Sequence, residues 1–538
     1  MPKTLALVAA ILAVVLGPIL LRPRGSGAAL RGDDVLVVIT PHNEAIRSEF
    51  GEAFRDWYRK KTGRSVLLEW LTPGGTSEIA RFLDGSYSTA FENHWRRELR
   101  RAWTNDVQQG FMDSKTVPAS APADDTPRQA ARRAFLASDA GCSIDVFFGG
   151  GSYDVQKAAA AGILADCGYV KAHPEVFGIG RPIPPIVGGE RYYDEGGLWM
   201  GTTIGAFGIA SNRDQLARLG IPEPRTWADL ADARYFRALA LANPTQSSAA
   251  NKALDMLIQQ QMNLAAAESG KDDAASTAEG WQRAMRLIQR ISANARYFSD
   301  SSAKIALDIE AGEAAAGMTI DFYGRFQSET VRRADGTSRI RYIDAVGGTS
   351  YGVDPIALLR GAPHPDIARA FIEFIMGDGQ KIWGYRAGEP GGPRHHSLRR
   401  LPVLPELYTE AHRAHRSDPD VFPYEAAKQF SYDGKRTGPL FGTIAFIIRI
   451  MCIDPHRELT AAWRALCDAK ERTGTFPPEA LRAFEDVSRV DYATAAARIR
   501  STLSEGAGKI EQVRLAKELA DHFRANYERA GQLAHEGK

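Results

Sequence analysis

Cysteine and net charge are both scarce in this sequence. Its 538 residues include four cysteines, and the formal net charge at pH 7 is +2. Four cysteines are too few for a disulfide scaffold, but the close pairs Cys142–Cys167 and Cys452–Cys467 could form local bridges in an oxidising compartment or remain buried thiols. The near-zero net charge gives no support for a nucleic-acid partner.

Recognisable catalytic and nucleotide-binding motifs are also missing. Gly149, Gly150 and Gly151 form a glycine run, but no Gly-Lys-Ser/Thr follows it, so the run is not a P-loop. No Gly-x-Ser-x-Gly elbow, zinc motif, Ser-His-Asp order or carboxylate pair is present. The sequence therefore predicts a binding protein without a metal or cofactor, with an enzyme as an alternative.

The overall composition is that of a soluble globular protein. Hydrophobic residues make up 44% of the chain and charged residues 25%. A chain of this length predicts two to four domains or one large two-lobed body. The sequence shows no internal repeat and no long low-complexity tract.

The first residues of the chain predict export. Residues 4–21 carry no charge and are followed by Arg22 and Arg24. This run is at the lower limit for crossing a bilayer and also suits the core of a signal peptide. Small residues at 27–29 offer a cleavage site, and no cysteine follows the run, which excludes a lipoprotein anchor. We expect residues 1–31 to be a signal peptide or an N-terminal membrane anchor of a periplasmic or otherwise extracytoplasmic protein.

Strands and helices alternate near the start of the chain. The apolar run 35–39 predicts a strand, and apolar residues at helical spacing over 46–57 predict a helix that ends at Gly63. A second strand over 66–71 leads through a glycine-rich turn into a helix at Ile79. This repeat predicts an α/β fold with a mainly parallel sheet.

Residues 86–140 interrupt the repeat. They contain an arginine cluster and a stretch over 117–128 that is rich in proline, alanine and aspartate. We expect an insertion that is helical first and then loop-like. Its arginines suit a solvated helix face, with an acidic partner as the alternative. The repeat resumes with a strand over 144–148, and the glycine run leads from it into a helix.

The centre of the chain has a distinctive order of elements. A buried strand over 206–210 is followed by a helix that ends at Gly220. Thr226 is a good N-cap for a one-turn helix. A strand over 238–242 then leads through residues 243–245 into another helix.

This order resembles the middle of a type II periplasmic solute-binding protein, the extracytoplasmic receptor of an ABC importer. The motif reads Gly–Ile–x–x–Asn, then Pro–x–Thr–Trp–x–Asp–Leu, then Asn–Pro–Thr. Asp–Val–Phe–Phe–Gly–Gly–Gly at 145–151 and the stretch 354–383 resemble other parts of that family. The resemblance covers residues 34–401 and is closest to the receptors for ferric iron, phosphonates and sugar phosphates. It implies an α/β fold of two lobes joined by a hinge.

The resemblance also implies a division of the chain. We expect lobe 1 over 32–205 with the insertion 86–140, lobe 2 over 206–343, a return to lobe 1 over 344–400, and a helical C-terminal extension over 401–538. The hydrophobic patch 441–451 in this extension is too short for a membrane span and is typical of a helix core.

Turns that follow strands and begin helices are candidates for the ligand site. In an open α/β sheet, ligands collect beyond the carboxyl ends of the strands, and helix N-termini there favour carboxylate or phosphate groups. Each turn alone is explained by ordinary N-capping, but the family resemblance implies that the turns converge on one cleft. The predicted ligand-binding residues are Thr40, His42, Asn43, Gly75, Thr76, Gly151, Ser152, Ser247, Ser248, Asp321 and Tyr323.

The resemblance leaves two ligand classes to compare. Ferric-binding relatives carry two adjacent tyrosines where this chain has Phe322 and Tyr323, and a glutamate where it has Gly151. His42 matches their histidine, but Phe322 and Gly151 cannot supply iron ligands. We therefore predict a monomeric receptor that binds a small anionic organic solute and delivers it to an ABC transporter permease in the membrane. A ferric-iron receptor is the main alternative, and an enzyme or an anchored interaction protein on this fold are the others.

Overall fold

A computed structural model describes residues 32–504 and 508–538. The predicted signal peptide or membrane anchor over 1–31 lies outside the described residues. Within them, a seven-stranded and a five-stranded sheet each carry a hydrophobic core, and a two-stranded sheet completes the set. The predicted α/β fold of two lobes with additional C-terminal helices is confirmed.

The strands are β1 Asp34–Ile39, β2 Val66–Leu71, β3 Val146–Phe148, β4 Leu164–Ala165, β5 Ile186–Val187, β6 Glu190–Arg191, β7 Met200–Gly205, β8 Phe207–Asn212, β9 Leu239–Ala242, β10 Ala295–Ser299, β11 Ala316–Ile320, β12 Ile340–Asp344, β13 Gly352–Leu359 and β14 Leu401–Pro402. The helices of the first half are α1 Glu44–Thr62, α2 Thr76–Asn93, α3 Asn105–Gly110, α4 Pro127–Ala137, α5 Ser152–Ala161, α6 Tyr169–Ala172, α7 Arg213–Leu219, α8 Ser248–Ser269 and α9 Ala274–Ala293. Those of the second half are α10 Ser302–Glu310, α11 Asp321–Thr330, α12 Pro365–Met376, α13 Gln380–Gly384, α14 Glu410–Arg413, α15 Pro423–Ala426, α16 Gly434–Thr437, α17 Phe441–Ile448, α18 His456–Thr473, α19 Pro478–Phe484, α20 Tyr492–Thr494, α21 Arg500–Leu503 and α22 Lys509–Glu536.

The seven-stranded sheet is the centre of the first lobe. Its strand order is β14-β7-β13-β3-β1-β2, and β4 also pairs with β13. β1 runs parallel to β2 and to β3, as the strand–helix repeat predicts. β13 runs antiparallel to β3 and β7 because the chain re-enters this sheet from the second lobe. The prediction of a mainly parallel sheet therefore holds only for β1, β2 and β3, and the pairs that involve β13 or β7 are antiparallel.

The five-stranded sheet, in the order β10-β9-β11-β8-β12, is the centre of the second lobe. The chain crosses into it between Gly205 and Phe207 and leaves it through residues 345–351. β8 and β12 are antiparallel neighbours, so the chain enters and leaves this sheet through adjacent strands. β10 is not predicted from the sequence, because Ala-Arg-Tyr-Phe-Ser lacks an apolar run.

Capping residues place several helices as the sequence predicts. Asn43 caps α1, which Gly63 ends in a left-handed conformation with φ of 74°. Ser247 caps α8, and Thr226 with Asp229 forms a capping box for the short helix that follows α7. The turns at the ends of the strands are therefore held by local hydrogen bonds.

Residues 86–140 pack into the core of the first lobe. The stretch is helical through α2 and α3, has an irregular segment, and becomes helical again in α4. α4 begins with a capping box between Thr126 and Gln129, which corrects the expectation of a loop-like end. The arginine cluster near the start of the stretch, Arg96, Arg97, Arg100 and Arg101, is exposed. Three rings pack with centroids 5.0–5.3 Å apart, those of Phe91, Phe111 and Phe135.

The C-terminal helices share the hydrophobic core of the second lobe. Trp463 on α18 is buried, and its Nε1 donates a hydrogen bond to Oδ1 of Asn294 (2.9 Å). By length and composition alone, the helical stretch Gly434–Ile453 could cross a membrane, but 61% of its apolar window is buried inside the protein. Ile444, Ile447 and Met451 of this stretch are fully buried. The hydrophobic patch is therefore part of a core, as predicted.

All four cysteines have free thiols. Cys142 is half-buried, and Cys167, Cys452 and Cys467 are buried. Their spacing leaves local disulfide bridges and buried thiols open as alternatives, and the structure has free thiols.

Candidate functional site

Turns of the first lobe meet beyond the carboxyl ends of β1, β2 and β3. Gly149 and Gly150 have positive φ angles of 99° and 94°. A Cβ atom on Gly149 would lie 2.6 Å from Nε2 of His42, and one on Gly150 would lie 2.9 Å from Cγ2 of Thr76. These glycines therefore permit a close approach that brings His42, Thr76 and the neighbouring Gly151 to one place.

The remaining predicted turn reaches this place from the second lobe. Oγ of Ser77 lies 3.2 Å from Oγ of Ser248, and the ring centroids of Tyr153 and Phe441 are 4.4 Å apart. In each pair the first residue belongs to the first lobe and the second packs with the second lobe. The lobes are thus in contact across the cleft, which is closed in this structure.

Several predicted polar groups are already occupied by local hydrogen bonds. Thr40 Oγ1 accepts from the backbone N–H two residues later, and the side chains of Asn43 and Ser247 cap α1 and α8. By contrast, α2 and α5 begin at Thr76 and Ser152, directly after Gly75 and Gly151, which provide no side-chain cap. The first-turn N–H groups of α2 and α5 are therefore available to a ligand.

A buried arginine, which the sequence does not predict, lies at the centre of the closed cleft. The Arg400 side chain is 1% exposed. Its guanidinium carbon lies 4.1 Å from the ring centroid of Phe322 and 5.2 Å from that of Trp383. Nη2 of Arg400 donates to the carboxylate of Asp354. Nε and Nη1 have no hydrogen-bond partner within residues 32–504 and 508–538, so two charged donors remain for a ligand.

Asp321 faces the same place from the second lobe. It begins α11, and its backbone N–H donates to the carbonyl oxygen of Ala206 (2.9 Å). Both carboxylate oxygens are buried without a hydrogen-bond partner in the described part of the chain, with Nη1 of Arg325 3.4 Å away. Burial raises the pKa of Asp321 to about 6. A Cβ atom on Gly205 would lie 3.7 Å from Oδ1 of Asp321 and 4.0 Å from Nη2 of Arg400, so the two charges meet at the crossing between the lobes.

His42 and Tyr323 supply neutral polar groups to the cleft. Burial lowers the pKa of His42 well below its usual value, and the nearby Arg400 lowers it further, so the imidazole is neutral at pH 7. Its Nε2 is buried without a partner among the described residues. Burial likewise raises the pKa of the Tyr323 hydroxyl, against the opposing effect of Arg400, so the phenol stays protonated. Neither group adds charge to the site.

Arg400, Asp354 and Trp383 are absent from the residues predicted from the sequence. None of them occupies a turn that leads from a strand into a helix: Asp354 lies inside β13, and Arg400 follows an irregular segment that is rich in glycine and proline. The motif Gly–Gln–Lys–Ile–Trp, part of the family resemblance, was the only signal for Trp383. No local pattern shows that an arginine will be buried.

Among the described residues, no group of three or more His, Cys, Asp or Glu side chains could hold a metal ion. The cleft residues that lie together are instead an arginine, carboxylates and neutral donors.

Comparisons with known proteins identify the family. A sequence model described as bacterial extracellular solute-binding protein matches residues 100–382, more than half of the chain. The phosphoglycerate transport regulatory protein PgtC of Salmonella typhimurium is 27% identical over 186 residues, which are 34% of this chain and 40% of PgtC. The match with PgtC thus spans less than half of that protein's length.

Solved structures of solute-binding proteins are also similar. AfuA from Actinobacillus pleuropneumoniae, a periplasmic binding protein with exogenous fructose-6-phosphate bound, is 15% identical with a TM-score of 0.44 over 75% of this chain and 96% of that chain. Iron-bound HitA from Pseudomonas aeruginosa is 14% identical with a TM-score of 0.41 over 77% of this chain and 99% of that chain. On the strength of the match over residues 100–382, which confirms the predicted resemblance, this chain belongs to the family of bacterial extracellular solute-binding proteins.

Proposed function

We propose that this protein is the extracytoplasmic receptor of an ABC importer and that it captures a small anionic organic solute between its lobes. The observation that carries the proposal is Arg400, a buried guanidinium with two unpartnered donors among the described residues, at the crossing between the lobes. Guanidinium groups recognise carboxylate and phosphate oxygens through two parallel hydrogen bonds. Nη2, which takes part in either parallel pair, already donates to Asp354, so an anionic group on the solute would accept from one of the two free donors and a second oxygen of the solute from the other.

The available interactions are strong enough for a receptor. A hydrogen bond to a charged group contributes roughly 1.5–3 kcal/mol, and a micromolar dissociation constant corresponds to about 8 kcal/mol. The N-termini of α2 and α5, which lack side-chain caps, add backbone donors and positive dipole ends. A few such contacts therefore suffice once the cost of ordering the solute is subtracted.

The groups around Arg400 favour a solute that carries hydroxyl groups beside its charge. The unpartnered carboxylate oxygens of Asp321 can accept hydrogen bonds from hydroxyls, and Nε2 of His42 adds a neutral partner. A bare inorganic anion lacks the hydroxyl groups from which the Asp321 oxygens could accept hydrogen bonds. A phosphonate or sugar phosphate has the required combination.

The ferric-iron alternative is less compatible with these surroundings. Phe322 takes the place of the first tyrosine ligand, and its ring lies directly under the Arg400 guanidinium. A permanent positive charge at this distance would repel a ferric ion. The second tyrosine, Tyr323, has a pKa raised by burial, which opposes the tyrosinate that iron requires.

We expect a monomer that works in the periplasm and delivers its solute to a permease, with residues 1–31 acting as a cleaved signal peptide or a membrane anchor. A reporter that is active only outside the cytoplasm should therefore give a signal when fused after residue 31. An inactive reporter would contradict export by this segment.

Calorimetric titration of the purified protein with phosphonates, sugar phosphates, carboxylates, polyamines and ferric citrate tests the proposal. An anionic organic solute should bind with a micromolar or lower dissociation constant. Arg400→Lys keeps the charge but loses the paired donors, and we expect it to weaken binding about tenfold, equal to about 1.4 kcal/mol. Arg132→Lys is a matched control, because Arg132 is also buried but donates to backbone carbonyl oxygens in the first lobe. Tight binding of ferric iron with a visible tyrosinate band that Tyr323→Phe removes would reject the proposal.

A further inference from the structure

A second polar opening lies at the end of the second lobe that is remote from the cleft. Its volume is about 360 Å³. It forms where α18 packs beside the amino ends of β9 and β10. The cleft turn with Ser247 follows the carboxyl end of β9, so the length of this strand, about 13 Å, separates the two places. The charged and polar residues that line the opening are Arg237, Arg296, His456, Arg457, Thr460 and Arg464.

The arginines of the opening are not all neutralised by the protein. Arg296 pairs with Glu313 (2.6 Å), and Arg464 pairs with Asp468 (2.9 Å). Arg457 is 91% exposed, and its one ion pair is with the adjacent Glu458. No hydrogen bond or ion pair involves the Arg237 side chain in the described part of the chain. The opening therefore has one guanidinium without a carboxylate partner among the described residues, that of Arg237, and a second, that of Arg457, whose partner is the residue next to it in the chain.

These side chains are positioned by the backbone and by aromatic packing. Arg237 has a φ of 57°, a left-handed conformation that residues with a Cβ atom adopt at a cost. A turn holds it there, in which the N–H of Ala238 donates to the carbonyl oxygen of Tyr235 (2.7 Å). The Arg464 guanidinium lies over the Phe236 ring, 5.4 Å from its centroid. The backbone at Arg237 and the guanidinium of Arg464 are thus held in place before any ligand binds.

The N-terminus of α18 opens at the same place. This helix has 18 residues and begins at His456 without a side-chain cap. Nε2 of His456 lies 3.2 Å from the carbonyl oxygen of Ser292, which makes that nitrogen the donor. Burial lowers the pKa of His456, so the positive charge of the opening comes from its arginines and from the helix dipole.

We propose that this opening binds a phosphate monoester group as a second anion site, separate from the solute cleft. Guanidinium groups approaching from several directions, together with helix N–H groups, match the tetrahedral oxygens and double charge of a phosphate monoester better than they match a planar carboxylate. The group can come from a soluble phosphorylated metabolite or from a phospholipid headgroup. This site goes beyond the proposed receptor function, because it is remote from the cleft and is completed by α18, which lies beyond the family match over residues 100–382.

The test uses ³¹P NMR and calorimetric titration of the full-length protein with inorganic phosphate and glycerol phosphate. The double variant Arg237→Gly/Arg457→Ala removes the unpaired cation of the opening and the arginine that is paired only with its neighbour in the chain, and the glycine relieves the left-handed strain at position 237. We expect this variant to keep its melting temperature and to bind phosphate at least tenfold more weakly at the second site. Arg472→Ala is the matched control, because Arg472 is exposed on the same helix roughly 24 Å away along its axis, and it should bind as the wild type does.

Further arms separate this site from the cleft and distinguish the two ligand sources. Arg400→Lys should leave phosphate binding at the opening unchanged, so failure of the receptor proposal and failure of this one give different results. Flotation with phosphatidylcholine vesicles, with or without phosphatidic acid, is measured in parallel. Binding to free phosphate alone would assign a soluble ligand, and additional binding to phosphatidic acid vesicles would assign a headgroup. Absence of binding to every probe, or binding unaffected by the double variant, would overturn the proposal.

Discussion

The two lobes differ in how far along the chain their hydrophobic cores extend. The core of the first lobe is built from residues 36–206 and 351–427. The core of the second lobe combines residues 209–345 with residues 440–534, which lie beyond the family match. The C-terminal helices are therefore a structural part of the second lobe. The second lobe, which provides Asp321 to the cleft, thus depends on helices that lie outside the family match.

Polar contacts show how closely the C-terminal helices are joined to the second lobe. Asn294 donates to the carbonyl oxygens of Leu230 and Asp232 and accepts from Trp463. Nε1 of Trp281 donates to the carbonyl oxygen of Val490 (2.8 Å). These buried hydrogen bonds cross between the family-like part and the extension, so neither part can leave without exposing unpaired groups.

The largest expected effect comes from breaking this shared core. Trp463→Ala removes a buried indole and its hydrogen bond to Asn294, and we expect it to lower the free energy of unfolding by about 3–5 kcal/mol. Native-state hydrogen exchange should show the loss of protection mainly in α9, α18 and α22, with β1 and β3 protected as before. Equal loss of protection in both lobes would contradict the division of cores.

Two control variants sharpen this prediction. Trp463→Phe keeps most of the ring volume and should cost less than Trp463→Ala, because only the hydrogen bond and part of the indole are lost. Phe91→Ala removes a buried ring from the first lobe and should produce the opposite exchange pattern. Together the variants show whether each lobe has its own stability.

A smaller effect is expected from the buried charges that join the lobes behind the cleft. Nζ of Lys252 on α8 lies 2.9 Å from Oε1 of Glu190 on β6, which also accepts from Oγ of Ser350 (2.5 Å). Lys252→Met leaves Glu190 and the neighbouring Asp255 without their cation, and we expect a loss of about 3 kcal/mol. X-ray scattering should show a larger radius of gyration in the variant, because a contact between the lobes is removed.

The double variant Lys252→Met/Glu190→Gln checks that the effect belongs to this pair. It removes both charges, so it should recover part of the stability that the single variant loses. Additive losses in the two single variants would show that the pair does not couple the lobes.

The smallest expected effect is a pH dependence that originates in the second lobe. The folded pKa of Asp321, about 6, is above the usual aspartate value of 3.8, so the folded state holds more protons between these pH values. Its stabilising contribution is fully present below pH 3.8 and is lost as the pH rises through 6, a change of about 1–3 kcal/mol. Denaturant titrations should therefore show that wild-type stability decreases relative to Asp321→Asn as the pH rises through this window. Parallel curves for the two proteins would contradict this assignment.

Local sequence patterns predict many of the strands and helix ends of both lobes. They do not predict β10 or the packing of the C-terminal helices on the second lobe. Gly63, Thr226 and Ser247 mark helix ends that the structure confirms, because capping depends on neighbouring residues. β10 is missed because its pairing with β9 comes from tertiary structure. The C-terminal segments are recognisable as amphipathic helices, but their sequence does not specify which lobe they cover.

The same distinction applies to the cleft. The turns with His42, Thr76 and Ser248 are visible in the sequence because small polar residues there follow strands and begin helices. Arg400 is not visible, because its burial results from the meeting of Phe322, Trp383 and Asp354, which are distant in the chain. Site residues that depend on such long-range contacts require the folded structure.

Native mass spectrometry of the protein purified from its own cells is the most direct test of the central claim that Arg400 holds an anionic solute between the lobes. We predict one small organic anion per wild-type protein, and a strong reduction of this adduct in Arg400→Lys but not in Arg132→Lys. A bound ferric ion, a bound polyamine, or an anion retained equally in Arg400→Lys would contradict the account.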